Sequence, residues 1–340
     1  MAFEDFMEGL DATTVKRIRT AENTEIVRLP LASYGLTKAL NGGIAKGRIS
    51  LFYGVESAGK SLLLQESVAL WQSMGLVCAY IDVEQAYDKE WCAKLGVNNS
   101  ELLLVQAQSS AVIEESVRPL LENGVDVLII DSISDIMPAV FFKKDGSLNL
   151  PEDRQQLGAQ ARAITILING MLVLNENTAI VLISQTTTYI GKTYTKQVPH
   201  GGKKVLFASS QTVRMTSSNT DGQQIKGSVY IGDMAITKPI GRRVELLVEK
   251  NKLGPQHRTC EYDMYYAGEE VGIDKVGEVI DEAVAYKIIT VSARGGWHTW
   301  GENKWQGRPM VVQFFKELPD ELDRLIKDIA EAEVGTVEQI

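Results

Sequence analysis

Gly54-Val55-Glu56-Ser57-Ala58-Gly59-Lys60-Ser61, or GVESAGKS, fits G-x-x-x-x-G-K-[ST] at every fixed position. An apolar, strand-like run (49–53) precedes it and a helix-like run (60–74) follows. In that setting the loop's backbone N–H groups and the positive end of the helix dipole converge on one anion, so the stretch predicts a cradle for nucleotide phosphates. Lys60 is placed to reach the β- and γ-phosphates and the Ser61 hydroxyl to ligate Mg²⁺. A strand-to-helix turn that binds nothing is the plainer alternative, and the flanking elements argue against it.

Outward from this loop, strand-like runs at 49–53, 76–81, 102–106, 125–130 and 179–184 alternate with helix-like runs at 60–74, 88–95, 110–122 and 154–175. The rhythm predicts an α/β fold with a mostly parallel sheet, covered by helices on both faces. Such sheets bind ligands at the carboxyl ends of their strands. Beyond 205 the texture changes: strand-like runs at 206–216, 243–249 and 259–266, with Gly and Asp between them, suggest antiparallel extension. Extra sequence lies at 219–241. From about 272 a helix (275–286), a Gly- and Trp-rich hairpin (291–309) and two helices (310–318, 319–332) read as a small α/β lobe. At the other end, 1–21 reads as an amphipathic helix with Phe3, Phe6, Met7 and Leu10 on one face, followed by a strand-like piece at 25–29. The expected division is thus 1–30, 31–271 and 272–340.

Bulk properties narrow the classes. The 340 residues exceed one typical domain, and 44% hydrophobic content suits a soluble globular chain. No apolar run approaches the roughly 20 residues that span a bilayer, so no membrane partner is expected. MAFEDFMEGL lacks the basic n-region of a secretory signal. The three cysteines and three histidines have no metal-ligand spacing, which fits reduced thiols in a cytoplasmic protein without zinc. A net charge of −9 argues against nucleic acid, but 186–204 contradicts that average. It holds Lys192, Lys196, Lys203, Lys204 and His200, and no acidic residue.

Three further positions suggest chemistry. Glu84 follows the second strand and could orient or deprotonate a water attacking the γ-phosphate, or be a solvated loop glutamate. Val127-Leu128-Ile129-Ile130-Asp131-Ser132 has the Walker B form, in which Asp131 holds Mg²⁺ through its water shell; a helix-capping aspartate is the alternative. Gln185 ends a later strand just before the lysine-rich segment, where it could sense the γ-phosphate or simply be solvated.

Taken in order, GVESAGKS, IDVEQAYDKEWCAKLGV, LIIDS, LISQ, Gly201-Gly202 and VEKNKLGP resemble the RecA family of bacterial recombinases and their phage relatives. The likeness runs from about residue 25 into the last lobe. It implies that Glu84 is the catalytic glutamate, that Asp88 and Trp91 contact adenine (Trp91 in place of a tyrosine), and that Asp131 and Ser132 are the Walker B pair. Gln185 would link ATP to the DNA-binding segment. Lys250 and Lys252 would reach the ATP of the neighbouring subunit; read without the resemblance, they are a solvated edge. Two DNA-binding loops are implied, at 138–157 and 186–202. Arg162 and Thr165 would follow the first. Ile190, Gly191 and Tyr194 in the second would meet bases, and Gly201, Gly202 and Lys203 phosphates. A disordered surface loop is the plainer reading of 186–202.

The chain departs from the family in its longer first loop, in Asn169 where an arginine is expected, and in lacking a strongly acidic tail. The resemblance also implies that the N-terminal helix and strand dock on the next subunit, although such a helix could fold back on its own core. In the last lobe, Arg294, Trp297, His298, Trp300, Lys304, Trp305 and Arg308 interleave basic and aromatic character that could gather duplex DNA. Trp297 is expected to pin the lobe's core, with Trp300 and Trp305 left open. The implied function is ATP- and Mg²⁺-dependent filament formation on single-stranded DNA, with pairing and strand exchange into duplex DNA. Single-strand-binding and loading proteins are possible partners. A regulator of the same fold or a ring-type motor is the alternative.

Overall fold

The computed structural model describes residues 25–143, 145–148, 158–190, 195–217, 223–231, 234–268, 270–293 and 296–337, with Gly9 and Asp11. The helix expected within 1–21 lies outside the described residues. Five strands carry the parallel series: β3 (Ile49–Gly54), β4 (Cys78–Asp82), β5 (Leu102–Gln106), β6 (Val127–Asp131) and β7 (Ala179–Ile190). They stand in the order β3-β7-β6-β4-β5, all parallel, and β9 (Gln211–Ser217) adds a parallel neighbour on the other side of β3. Beyond β9 the sheet turns antiparallel through β11 (Met234–Asn251), β12 (Thr259–Tyr265) and β13 (Gly272–Ile273). The 219–241 region contributes β10 (Gln224–Ile231), which pairs with the first part of β11 as a ribbon.

The inner parallel strands β3, β4 and β6 read as unbroken apolar runs because both faces are covered, while β5 lies at the sheet edge. Along β6, Val127 and Ile129 join one core while Leu128 and Ile130 join the other. Each buried side chain of this size contributes about 1.5–3 kcal/mol. One face is covered by α2 (Lys60–Ser73), which buries Leu63, Leu64, Val68 and Trp71. The opposite face is covered by α4 (Ser110–Glu122) and α5 (Ala159–Leu174). Short pieces complete the core: β1 (Arg28–Leu29) pairs with β2 (Ile44–Ala45) of the same chain, α1 (Tyr34–Ala39) follows β1, and α3 (Lys89–Lys94) follows β4.

Expectations for two segments after 185 needed correction. The run at 206–216 is not one strand: α6 (Lys203–Ala208) occupies its start, and the strand begins at Gln211. α6 buries Val205, and Leu206 and Ala208 pack against the same core. The 186–202 segment is not an open loop in its described part. The Thr-rich end of β7 pairs antiparallel with β8 (Thr195–Pro199), from Thr186 opposite Pro199 to Ile190 opposite Thr195. β-branched residues favour that pairing, which satisfies backbone groups a loop would leave to water.

The C-terminal lobe has its own core. α7 (Lys275–Ala285), a sheet of β14 (Thr290–Val291), β15 (Trp297–Trp300) and β16 (Asn303–Gln306), α8 (Arg308–Glu317) and α9 (Pro319–Val337) enclose Ile280, Trp300, Trp305, Phe315, Leu325 and Ile329. Trp297 corrects the expectation made for it. Strand alternation sends His298 and Trp300 inward, and Trp297 stands 43% exposed with the Lys304 ammonium 4.9 Å from its ring centroid. The lobe is clasped to the main body by Glu278. Its carboxylate accepts from Ser33 Oγ at 2.6 Å and from the Tyr34 and Gly35 backbone N–H groups at 2.9 Å each. Burial pushes this carboxyl up to about 7, against those hydrogen bonds. Among the described residues, no helix is long and apolar enough to cross a membrane.

Candidate nucleotide-binding site

The phosphate-loop stretch lies where β3 meets α2, and two glycines are required there by close approach. A β-carbon on Gly54 would stand 2.1 Å from the Met215 carbonyl oxygen. Gly59 has φ +87, and its β-carbon would stand 2.6 Å from Met264 Sδ. The tight turn leaves Glu56 and Ser57 exposed and Ala58 buried, and opens a cavity of about 300 Å³ at the carboxyl end of the sheet. Loop residues from Glu56 to Ser61, Glu84, Asp131 and Gln185 line it.

Lys60 is buried, and its Nζ donates to the Gly54 carbonyl at 3.1 Å and the Val55 carbonyl at 2.7 Å. Burial lowers its pKa, opposed by the charges of Asp131, Glu84 and Glu56. An anion entering the loop offers this ammonium stronger, charged partners than two backbone carbonyls. Asp131 is also buried; Tyr80 Oη donates to its Oδ2 at 2.5 Å. Burial raises its pKa, countered by the Ser61 and Tyr80 hydroxyls and then by Lys60. A buried carboxylate beside the Ser61 hydroxyl, at a cavity wall, is a hard-oxygen donor pair that suits Mg²⁺ retaining most of its water. Ser132 instead donates to Asp135 Oδ2 at 2.5 Å.

Glu84 emerges just past β4, and Gln185 Nε2 donates to its Oε1 at 3.3 Å. Burial raises the Glu84 pKa, reinforced by Asp131 and Asp135 and opposed by Gln185 and Ser132. Gln185 also faces the lysine-bearing hairpin: its backbone N–H donates to Ser134 Oγ at 2.9 Å and its carbonyl accepts from the His200 N–H at 3.0 Å.

The other expected residues lie apart from this cavity. Asp88 caps α3, accepting from the Glu90 and Trp91 N–H groups, which hold its carboxyl below the usual range. Trp91 packs, partly buried, against the core under α2. Lys250 Nζ donates to the Leu206 carbonyl in α6 at 2.5 Å, and burial followed by Lys252 lowers its pKa. Lys252 is exposed. Arg162 is exposed on α5, and Thr165 Oγ1 donates to the Ala161 carbonyl. Lys203 is exposed at the start of α6 and Gly202 is open, but Gly201 is buried, since a β-carbon there would stand 2.8 Å from Val205. The absence of a side chain at Gly201 is thus required by packing against Val205. Gly191, Tyr194 and the Ile190 side chain lie outside the described residues.

Sequence reading missed Arg242, Met264 and Tyr266, which form the far wall of the cavity. They come from β11, from β12 and from just beyond β12. No spacing relates them to the phosphate loop; only the sheet order brings them there. Tyr80 was legible only as one apolar member of a strand.

A family profile described as the RecA N-terminal domain matches residues 2–273. The chain is 32% identical over 334 residues to a protein named RecA from Campylobacter jejuni subsp. doylei, covering 95% of this chain and 91% of that one. RecA proteins from Frankia alni and Thermus aquaticus are each 31% identical, covering 94% and 93% of this chain and 87% and 88% of theirs. This chain belongs to the RecA family. The RecA profile ends at Ile273, where β13 gives way to the C-terminal lobe, and the likeness to whole RecA proteins continues into that lobe.

Proposed function

We propose that this RecA-family chain is an ATP-dependent DNA recombinase that polymerises on single-stranded DNA, pairs it with homologous duplex DNA and exchanges strands. The observation that carries the reading is Gln185. Its side chain meets Glu84 in the nucleotide cavity while its backbone is bonded to His200 at the base of the β7–β8 hairpin. A change at the nucleotide is therefore one residue away from the basic segment.

In this reading Lys60 leaves its two carbonyls for the β- and γ-phosphates, and Ser61 and Asp131 would hold Mg²⁺. The metal supplies charge neutralisation at the phosphate oxygens. Glu84, with its raised pKa, orients and deprotonates the attacking water. The flat ring of Tyr266, like those expected from Trp91, suits a nucleobase. Lys250 and Lys252 serve the ATP of the adjoining subunit, where a cation stabilises charge developing on the transferred phosphoryl group. Lys250 is bonded meanwhile to α6, directly after the basic hairpin, which favours the same coupling.

Polymerisation falls to the part of 1–30 that precedes Arg28, since Arg28–Leu29 pairs with β2 of the same chain, and a receptive surface supports it. The edge strand β5 exposes Leu103 and Leu104, and α5 exposes Ile166 and Val173. A strand edge and an apolar face of this kind accept a neighbour's strand and amphipathic helix. DNA is held by the hairpin and by Lys203, with the bases left to Watson–Crick pairing. The setting is the cytoplasm, with single-strand-binding and loading proteins as accessory partners.

Strand exchange between circular single strands and linear duplex, with and without ATP, tests the reading. Joint molecules only with ATP, and open filaments rather than closed rings in negative stain, are the expected results. An ATPase indifferent to single-stranded DNA sinks it.

A further inference from the structure

The cavity beside the phosphate loop contains a second cation from the same chain. Arg242 stands at the base of the β10–β11 ribbon, opposite Met264 of β12. Arg243, next in the strand, and Arg214 of β9 are both committed to carboxylates: Arg214 to Glu249, Arg243 to Glu261 and Asp263. Arg242 turns to the other face of the strand. Its Nη1 donates to the Ser57 carbonyl, in the middle of the phosphate loop, at 3.2 Å. Its guanidinium carbon lies 5.4 Å from the Tyr266 ring centroid, and its Nε is buried without a hydrogen-bond partner among the described residues.

This is a poor resting state for a guanidinium. Five donors in a planar fork match the oxygens of a phosphate, and a lone carbonyl uses one of them. A buried, unpaired N–H is costly to hold, and an incoming acceptor would recover that cost. The ring of Tyr266 fixes the fork at the cavity wall and lowers the entropy cost of a further contact. Lys60 shows the same pattern, a cation held on loop carbonyls in the space a phosphate would fill.

We propose that Arg242 is a nucleotide-binding residue supplied within the same chain, whose guanidinium contacts the phosphates of a nucleoside di- or triphosphate in the loop. This rests on the reading of GVESAGKS as an ATP site. Arg242 complements Lys60 from the opposite wall, and it ties the β10–β11 ribbon to occupancy of the site. Unlike Lys250 and Lys252, it needs no neighbouring subunit, so it acts in the free protomer as well as in a filament.

The test uses the full chain at a salt concentration that keeps it unpolymerised, with Mg²⁺ and a fluorescent ATP analogue, ADP and adenosine as probes. Arg242→Ala is expected to weaken ATP and ADP roughly ten- to a hundred-fold, to leave adenosine unchanged and to raise KM more than it lowers kcat. Arg242→Lys should recover only part, because an ammonium lacks the fork. Melting curves separate this from bracing of the loop. The proposal requires an unchanged melting temperature without nucleotide and a smaller ATP-induced rise. The opposite pattern, a lowered melting temperature with a full ATP-induced rise, overturns it. So does ATP affinity within twofold of wild type in Arg242→Ala while Lys60→Ala loses binding. If the wild-type chain itself bound no nucleotide, the underlying ATP site would fall and this proposal with it.

Discussion

The two halves of the central sheet were built under different rules. In β3, β7, β6, β4 and β5 every connection is a crossover, so the strand tips all point one way and deliver Gly54, Gln185, Asp131 and Glu84 to one end. In β11, β12 and β13 the direction alternates, and which residue reaches that end depends on where each turn falls. In the proposed reading the parallel half supplies the groups that handle phosphate and water. The antiparallel half supplies the wall that closes on them, through Arg242, Met264 and Tyr266. Chemistry is concentrated where topology makes position predictable; fit is supplied where it does not.

That contrast can be broken at several points. Lys60→Ala should have the largest effect, a loss of DNA-stimulated ATP hydrolysis by at least about 10²-fold, since the loop then has no ammonium for the transferring phosphate. Steady-state hydrolysis checks it, and a loss no greater than that of Arg242→Ala would erase the distinction between the halves.

Next comes the clasp that joins the start of α1 to the lobe. Glu278→Ala leaves the Ser33 hydroxyl and the Tyr34 and Gly35 N–H groups without their acceptor, so urea unfolding should register a loss of about 2–4 kcal/mol. The pH dependence follows from the raised carboxyl. Between the usual 4.5 and about 7 the folded chain keeps a proton on Glu278 that the unfolded chain releases. Its contribution to stability therefore falls as pH rises through that window, and Glu278→Gln should remove that fall.

A smaller effect is expected at Asp135, whose charge helps to raise the Glu84 pKa. Activity should be lost on acidification at higher pH than for an ordinary glutamate, and Asp135→Asn should move that acid limb of the kcat profile toward lower pH. An unmoved limb would remove Glu84 as the titrating base. The least effect is expected from Lys203→Ala. It should lower the slope of log affinity for single-stranded DNA against log salt by about 0.7, one phosphate contact, and leave nucleotide affinity alone.

Legibility in the sequence followed the same divide. The parallel series was readable because β3, β4, β6 and the first part of β7 are buried apolar runs, with Asp131 at the end of β6 and Gln185 following the apolar part of β7. Position in the sheet then needed only the crossover rule. Arg242 and Tyr266 were not readable because no local pattern says that the second and third strands beyond β3 bend their ends over its loop. The hairpin at 186–199 was missed because Thr and Lys suggested a loop by polarity, while strand propensity in the same residues pointed elsewhere. Trp297 was misread because alternation along a four-residue strand has two registers, and only the partner strand chooses between them.

Gly59 gives the phosphate loop its fit against β12: a β-carbon there would stand 2.6 Å from the Met264 sulfur. Any side chain at this position would have to push that thioether aside, so the bareness of one residue sets how closely the outer strands can approach the nucleotide cavity.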